Sequence, residues 1–248
     1  MLDVAGVSRR FGGLLAVDGA SLTVAEGEMV GLIGPNGAGK TTLFAIVSGF
    51  LTPDTGSIRF EGRDVTREAA HLRARQGIAR TFQVVQPFAG LTVRDNIVVG
   101  AYLHYLRRQD AISHAEAVAR RLGLETMLDR PASDLTVAGR KRLELARALA
   151  TEPKALLLDE VLAGLNPSEI RDIIPVIRAI RDSGVTVLMI EHVMQAVMSL
   201  CERVYVLAQG RVIAAGEPRD VCADPLVIEA YLGHGAAGRI RAGTVAGA

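Results

Sequence analysis

Three largely apolar runs, at residues 28–33, 155–159 and 185–190, predict buried strands in this chain. Runs without polar alternation are typical of parallel strands that are covered on both faces. A helical segment at 167–181 lies between the last two runs, with Asn166 as its N-cap and a proline at its first position. The alternation of strand, helix and strand predicts an α/β fold with a mostly parallel core sheet.

Shorter strand patterns predict a small antiparallel β layer. Segments 2–7, 20–24 and 56–60 are separated by turns that contain glycine, and a later hairpin joins 203–207 to 211–214. Glycine is typical of such turns because it adopts backbone angles that other residues avoid. This layer would lie beside the ligand-binding site that we expect at the core sheet.

The middle of the chain changes to a helical pattern. Helices are predicted at 95–106, 112–122 and 140–150, the last with apolar residues on one face. A final helix would begin at Asp224-Pro225 and end near residue 232. The last segment, 234–248, is rich in glycine and alanine, and we expect a flexible tail there.

These elements predict one domain with an insertion. A chain of 248 residues is long for one domain and short for two. We therefore interpret residues 1–235 as a single domain. Its core sheet would come from about 1–88 and 152–233, and a helical lobe from about 89–151 would be inserted into it.

Composition excludes some classes of function. The formal net charge is +1, which gives no electrostatic footprint for nucleic acid. No apolar run approaches the roughly 18 residues of a membrane span, and the charged start MLDVAGVSRR is unlike a signal peptide. Cys201 and Cys222 lack metal-ligand spacing, so a reduced, cytoplasmic chain is the simplest interpretation.

The motif GPNGAGKTT follows the first apolar run and precedes a helical segment at 43–50. It fits the phosphate-binding pattern G-x-x-x-x-G-K-[ST] in the strand-loop-helix context that this pattern requires. The alternative, a glycine-rich turn with a surface lysine, does not account for so many matching positions. We assign all nine residues to nucleotide binding: Gly34, Pro35, Asn36, Gly37, Ala38, Gly39, Lys40, Thr41 and Thr42.

The chemistry of this loop explains its residues. Its glycines let successive N–H groups turn toward a β-phosphate, and the following helix directs its positive end there. Lys40 would contact the β- and γ-phosphates, and the Thr41 hydroxyl would bind Mg²⁺. The sequence therefore predicts a nucleoside triphosphate site.

Two acidic residues, Asp159 and Glu160, follow the second apolar run. The carboxyl ends of parallel strands are where open α/β sheets bind ligands. Asp159 is a candidate partner of Mg²⁺, and Glu160 is placed to accept a proton from an attacking water. Two acids can also follow a strand by chance in a solvated loop, and the phosphate loop favours the functional interpretation.

His192 follows the third apolar run, on the predicted side of the phosphate loop. A donor there could contact the γ-phosphate and respond to its loss. The alternative is a histidine at a strand end that is bonded to backbone.

In chain order, these motifs resemble those of the ATP-binding subunits of ABC transporters. The resemblance covers residues 3 to about 233 and rests on GPNGAGKTT, TFQ at 81–83, LTVAGRKRLELARALA, LLLDE, AGLNP at 163–167 and IEH at 190–192. It implies a P-loop NTPase fold, ATP and Mg²⁺ as cofactors, and two ATPase subunits that sandwich two ATP molecules head to tail.

The resemblance implies roles for further residues. Gln83 corresponds to a glutamine that contacts Mg²⁺ and the water and lies against the transmembrane partner. Phe11 resembles the aromatic residue that stacks on adenine, although it could equally anchor a small core. Glu160, His192, Gln83 and Lys40 would be catalytic, and Thr41, Gln83 and Asp159 would hold Mg²⁺.

The signature loop departs from the common L-S-G-G-Q form, since this chain has LTVAG at 135–139. Thr136 keeps a hydroxyl that could bond a γ-phosphate across the dimer. Ala138 would contribute to the same nucleotide-binding site. A Cβ at Ala138 would cost about 1 kcal/mol or more if that position needs a positive φ. We interpret the Arg140-Lys141-Arg142 run as a solvated helix start.

One branch of the family is most similar. IARTFQ, LLLDEVLAGLNP and VIEAYLG resemble the ATPases of importers for branched-chain amino acids and related amino acids or amides. This implies a second, non-identical ATPase chain, or else a homodimer. It also implies two transmembrane permease subunits, indirectly a substrate-binding protein, and a peripheral position on the cytoplasmic face of the inner membrane.

Two alternatives to transport stay open at this point. A soluble ABC ATPase of translation or DNA repair usually carries two ATPase units or a coiled-coil insertion, and neither is present. A nucleotide-gated regulatory module would bind ATP without useful hydrolysis, but the intact Glu160 and His192 argue against it.

Overall fold

The computed structural model describes residues 1–83 and 86–232, and the predicted tail at 234–248 lies outside them. The chain divides into two compact units. The first unit comprises Met1–Arg67 and the described residues from Met189 onward, and the second unit comprises Glu68–Leu188. The predicted extent of the helical lobe stays a prediction.

The first unit contains an antiparallel sheet with the strand order β2-β1-β4-β5. Its strands are β1 (Leu2–Phe11), β2 (Leu14–Val24), β4 (Thr55–Phe60) and β5 (Arg63–Asp64). Leu2 pairs with Val24 on one side and Phe60 on the other, and all three are buried. This sheet is the predicted antiparallel layer, with longer strands than the sequence pattern predicts.

The rest of the first unit is built on β3 (Met29–Ile33), which pairs in parallel with β9 (Arg203–Ala208). Every residue of β3 is buried, as its continuous apolar pattern predicts. β10 (Arg211–Gly216) forms the predicted antiparallel hairpin with β9. The helices of this unit are α1 (Lys40–Val47), α7 (Met194–Leu200), α8 (Pro218–Ala223) and α9 (Pro225–Leu232).

The second unit contains the parallel pair β6 (Ile78–Arg80) and β7 (Ala155–Asp159). The strand β8 (Thr186–Ile190) begins in this unit, and all its residues are buried. The helices of the unit are α2 (Ala70–Gln76), α3 (Val93–Ala101), α4 (Arg108–Arg121), α5 (Val137–Leu149) and α6 (Pro167–Asp182). Short 3₁₀ turns lie at Glu125–Met127 and Ala132–Asp134.

Glycine permits close packing of α3 against α5. A Cβ at Gly100 would lie 2.5 Å from the carbonyl oxygen of Arg147, so only glycine fits at this position of α3. Within the described ranges, none of the helices is long and apolar enough to cross a membrane.

Several predicted helix boundaries are wrong. The helix predicted at 112–122 begins at Arg108, and the segment predicted at 43–50 spans Lys40–Val47. The predicted helix at 95–106 ends at Ala101, because the following residues form separate turns, with Tyr105 N–H bonded to the Ala101 carbonyl. The predicted helix at 140–150 begins at Val137, because the Thr136 hydroxyl accepts a hydrogen bond from Gly139 N–H and caps it.

Candidate ATP site

The phosphate loop follows β3 and leads into α1. Gly34 and Gly39 have φ of 149° and 102°, which only glycine adopts readily. A Cβ at Gly34 would lie 2.0 Å from Leu207 O, and one at Gly39 would lie 2.3 Å from Ala16 O. These contacts require glycine at both ends of the loop. Gly37 also has a positive φ of 77°, but a Cβ there would meet no atom within 4 Å.

Lys40 lies across this loop. Its Nζ donates hydrogen bonds to Gly34 O at 2.7 Å and Pro35 O at 2.9 Å. The first turn of α1 contains no acidic residue, so its positive end is not neutralised by its own side chains. Glycine backbone, a lysine ammonium and a helix N-terminus are the groups that bind phosphate, and the loop therefore fits a nucleotide.

The other residues of the loop differ in exposure. Ala38 is buried, and its carbonyl accepts a hydrogen bond from Gly210 N–H, which fastens the loop to the β9–β10 turn. The remaining members have accessible side chains: Asn36 and Thr41 are exposed, and Pro35 and Thr42 are half-buried. The Thr41 hydroxyl is therefore accessible to a ligand.

Tyr231, in α9, contacts the same loop, and the sequence analysis missed it. Burial raises the pKa of the half-exposed Tyr231 phenol, while the nearby backbone of Gly34 acts in the opposite direction. The residue belongs to the motif VIEAYLG. The sequence pattern gave this motif only a resemblance to one branch of the family. A tyrosine carries no sequence signal of contact with a loop almost two hundred positions away.

Phe11 and His192 also belong to the first unit. Phe11 is 44% exposed at the end of β1, so the alternative of a small core anchor is wrong. The guanidinium of Arg9 lies 5.3 Å from the centroid of the Phe11 ring. His192 is exposed just after β8, next to the buried Glu191. Both side chains are accessible, as ligand-binding residues must be.

In the second unit, Asp159 ends β7 and is 1% exposed. Its Oδ2 atom lies 2.8 Å from Arg80 Nη2, and its N–H donates to Thr81 Oγ1 at 3.1 Å. A buried carboxylate requires such partners because burial without them costs several kcal/mol, about 3–5 when one partner is removed. The sequence analysis missed Arg80, although it lies in the quoted motif IARTFQ.

Glu160 has an unusual backbone. Its φ is 47°, in the left-handed region that residues with a side chain rarely adopt. Its Oε2 accepts a hydrogen bond from Gln83 Nε2 at 2.7 Å. The structure therefore brings two predicted catalytic side chains, Gln83 and Glu160, into direct contact, and the strained backbone lies at this contact.

Lys141 corrects the interpretation of the Arg140-Lys141-Arg142 run as solvated. Lys141 is only 6% exposed. Its Nζ donates hydrogen bonds to Gln83 O at 3.2 Å and Glu160 O at 3.0 Å. A basic run carries no signal that its middle residue points inward, so this contact could not be found from the sequence.

The signature loop is helical in this chain. Thr136 is exposed and caps α5, and Ala138 lies inside that helix rather than at a positive φ. The predicted cost of a Cβ at Ala138 is therefore wrong for this conformation. Asn166 likewise caps α6, where its side chain and that of Glu169 form a reciprocal capping box.

The predicted Mg²⁺ ligands belong to both units: Thr41 lies in the first, and Gln83 and Asp159 lie in the second. Within 1–83 and 86–232, no group of three or more histidine, cysteine, aspartate or glutamate residues could hold a metal by itself. Hydroxyl, amide and carboxylate oxygens do suit Mg²⁺, which keeps waters and takes few protein ligands beside nucleotide phosphates. The metal assignment stays a prediction.

Comparisons with known proteins agree with this chemistry. Residues 17–163 match the family model for ABC transporters, and residues 211–237 match the model for the branched-chain amino acid ATP-binding cassette transporter. The branched-chain amino acid transport ATP-binding protein BraF of Pseudomonas aeruginosa is 40% identical over 94% of this chain and 98% of its own. LivG of Escherichia coli K12, with the same description, is 39% identical over the same shares.

Two further relatives widen the comparison. The lipopolysaccharide export ATP-binding protein LptB of Escherichia coli K12 is 37% identical over 94% of this chain and 97% of its own. The ADP conformation of MJ1267, an ATP-binding cassette of an ABC transporter, is 33% identical with a TM-score of 0.86, over 94% of this chain and 99% of that one. The chain belongs to the ATP-binding subunits of ABC transporters, which hydrolyse ATP to drive transport.

Proposed function

We propose that this ATPase powers the import of branched-chain or closely related amino acids. The observation that carries the proposal is the match of residues 211–237 to the branched-chain amino acid transporter model, supported by the similarity to BraF and LivG. This segment includes Tyr231, which contacts the phosphate loop at Gly34. The branch-specific segment therefore includes a residue beside the loop that we assign to nucleotide binding.

A second candidate is export, which the 37% identity to LptB supports. The ATPase does not bind the transported molecule, so its active-site residues do not distinguish the two directions. The branch-specific match at the end of the chain favours import.

The partners follow from the proposal. A second ATPase chain would pair with this one, and two membrane permease subunits would bind the pair on the cytoplasmic side. A substrate-binding protein would deliver the amino acid on the other side. The chain itself would stay peripheral to the membrane.

We assign the following roles in ATP binding. Phe11 stacks on adenine, and backbone N–H groups of the glycine-rich loop, which Pro35 lacks, are donated to the β-phosphate. Lys40 balances charge on the β- and γ-phosphates. Thr136 and Ala138 of one ATPase subunit would contact the γ-phosphate bound by the other, so that ATP closes the dimer.

Hydrolysis then depends on the contact between Gln83 and Glu160. The 2.7 Å hydrogen bond from Gln83 orients the Glu160 carboxylate, which positions the attacking water and accepts its proton. His192 and Lys40 stabilise the charge that develops on the γ-phosphate. Thr41, Gln83 and Asp159 would hold Mg²⁺, which supplies positive charge that offsets the phosphate oxygens.

Co-purification tests the assembly. The tagged chain is isolated from its native membranes in mild detergent, and its partners are identified by mass spectrometry. Two very hydrophobic subunits and a second ATPase are expected. Recovery of soluble partners alone, of ribosomes or of DNA would contradict the proposal.

Uptake of labelled leucine, isoleucine and valine tests the substrate. Cells that lack the chain are complemented with the wild type or with Glu160→Gln, and only the wild type should restore uptake. Export of an amphipathic molecule with unchanged amino acid uptake would instead support the LptB-like function.

A further inference from the structure

We propose that Lys141 is a positioning residue that holds Gln83 and Glu160 in the geometry needed for hydrolysis. This inference rests on the proposed role of Glu160. Lys141 lies in α5, two residues after the signature loop at 135–139, and is 6% exposed. It would touch neither ATP nor water, and it would act through the two residues that do.

The first argument is the pair of hydrogen bonds that the ammonium donates. Lys141 Nζ lies 3.2 Å from Gln83 O and 3.0 Å from Glu160 O. A buried ammonium is costly unless it is bonded and its charge is balanced. Glu144, one turn further along α5 and 6% exposed, pairs with Arg147 at 3.0 Å and also interacts electrostatically with Lys141, while burial raises its pKa. The site is therefore built to keep a cation at this position.

The second argument is that these contacts close a ring. Lys141 binds the backbone of Gln83 and the backbone of Glu160, and the Gln83 amide binds the Glu160 carboxylate at 2.7 Å. Neither backbone can shift without stretching a bond in the ring. The left-handed backbone of Glu160, with φ of 47°, needs such support because strained conformations persist only where their surroundings fix them.

The third argument is that Lys141 belongs to a longer line of contacts. Polar side chains at every third position of α5 hold the segment around Gln83, since residues three apart share a helix face. The contacts are those of Lys141 with Gln83 O, of Glu144 with Phe82 N–H, and of Arg147 with Gln86 O at 3.2 Å and with the Phe88 ring at 4.7 Å. The helix therefore contacts the chain on both sides of Gln83.

The consequence is a mechanical connection inside the second unit. Thr136 caps α5, and Lys141 lies little more than one turn later on the same rigid helix. A change in the position of the capped end would reach the backbone of Glu160 through Lys141, and would thereby move the Glu160 carboxylate. Contact of the signature loop with nucleotide would then change the position of the catalytic carboxylate directly, through α5 and Lys141.

The test compares Lys141→Met, Lys141→Arg and Arg142→Met in the complex purified through a tag on the full chain. Arg142 is the control because it is the next residue of α5 but donates to Leu122 O at 3.0 Å, away from Gln83 and Glu160. For each variant, kcat, KM, the Kd for ATP and the melting temperature are measured.

We expect Lys141→Met to lower kcat by at least about 10-fold while the Kd for ATP changes by less than about twofold. Lys141→Arg should recover most of the rate, because a guanidinium can donate to both carbonyls. Arg142→Met should keep kcat near the wild-type value even if it melts at a lower temperature.

Three results would overturn the inference. They are a kcat for Lys141→Met near that of the wild type, a loss of kcat only in proportion to lost ATP binding or folding, and no recovery in Lys141→Arg. If Lys141→Met does not fold, Lys141→Gln replaces it, and an unchanged kcat there also overturns the inference. Glu160→Gln is assayed in parallel. If it retains turnover, the proposed role of Glu160 fails. If Glu160→Gln loses turnover while Lys141→Met keeps a wild-type kcat, only the inference about Lys141 is refuted.

Discussion

Arg80 Nη2 lies 2.8 Å from Asp159 Oδ2, and the two side chains are only 9% and 2% exposed. The pair joins the ends of the parallel strands β6 and β7. A carboxylate proposed to act near Mg²⁺ thus already has a cationic partner inside the protein. The pair fixes the orientation of Asp159 independently of any ligand.

Replacement of Arg80 by methionine should strongly destabilise the second unit. The change leaves the Asp159 carboxylate buried without its cation, which costs about 3–5 kcal/mol of unfolding free energy. Arg9→Met is the matched control, since Arg9 forms an ion pair of 2.7 Å with Asp54 on the surface and should cost about 1 kcal/mol or less. Chemical denaturation measures both, and equal losses would contradict this account of the buried pair.

Gly34 and Gly37 should differ when each is replaced by alanine. Gly34→Ala places a Cβ 2.0 Å from Leu207 O, so the protein should fold poorly or not at all. Gly37→Ala meets no atom within 4 Å and should cost about 1–2 kcal/mol through its positive φ alone. Melting temperatures and the binding of a fluorescent ATP analogue measure the difference. A well-folded Gly34→Ala variant would show that the loop can shift away from β9.

Asn166 has a structural role that can be separated from catalysis. Asn166→Ala removes the cap of α6 and should cost about 1 kcal/mol. Asn166→Asp keeps a side-chain oxygen that can cap α6, so stability and turnover should both be retained. The measurements are denaturant unfolding and ATPase rate. A large loss in the aspartate variant would show that the Asn166 amide has another function.

Ionised Glu28 should stabilise the first unit at neutral pH, and acid should remove this stabilisation. Arg203 donates a hydrogen bond to Glu28 and lowers the pKa of that carboxyl below its ordinary value of 4.5. Folding therefore favours the ionised form of Glu28. Its contribution to the free energy of unfolding is complete above pH 4.5, and it is lost as pH falls through the lower pKa of the folded state. Glu28→Gln should be less stable than the wild type at pH 7, by about 1 kcal/mol. The difference should shrink below pH 4.5, and a constant difference would contradict the assignment.

The sequence predicted most of the strands because burial on both faces leaves a continuous apolar run. All five residues of β3, β7 and β8 are buried, and each run was identified. The short elements α2 and β6 were missed: α2 is polar, and β6 has only three residues. Such elements carry too few positions for a periodic pattern, and tertiary contacts determine them.

The residues of the candidate site were also predicted only in part. The phosphate loop was predicted because its glycines and lysine recur at fixed spacing for a chemical reason. Arg80, Lys141 and Tyr231 were missed because each acts on a residue far away in sequence. Nothing local distinguishes a buried lysine that bonds two carbonyls from the solvated lysine that such a run usually contains.

The most direct test of the account is ATP turnover by Glu160→Gln in the purified complex. The variant should bind ATP with nearly wild-type affinity, hydrolyse it at least about 100-fold more slowly, and accumulate as a closed dimer. Glu152→Gln is the matched control, because Glu152 is a second glutamate with φ of 47° in the same unit, but its carboxylate accepts a hydrogen bond from Tyr105. Normal turnover in Glu152→Gln with trapped ATP in Glu160→Gln is the result that we predict, and normal turnover in Glu160→Gln would contradict the account.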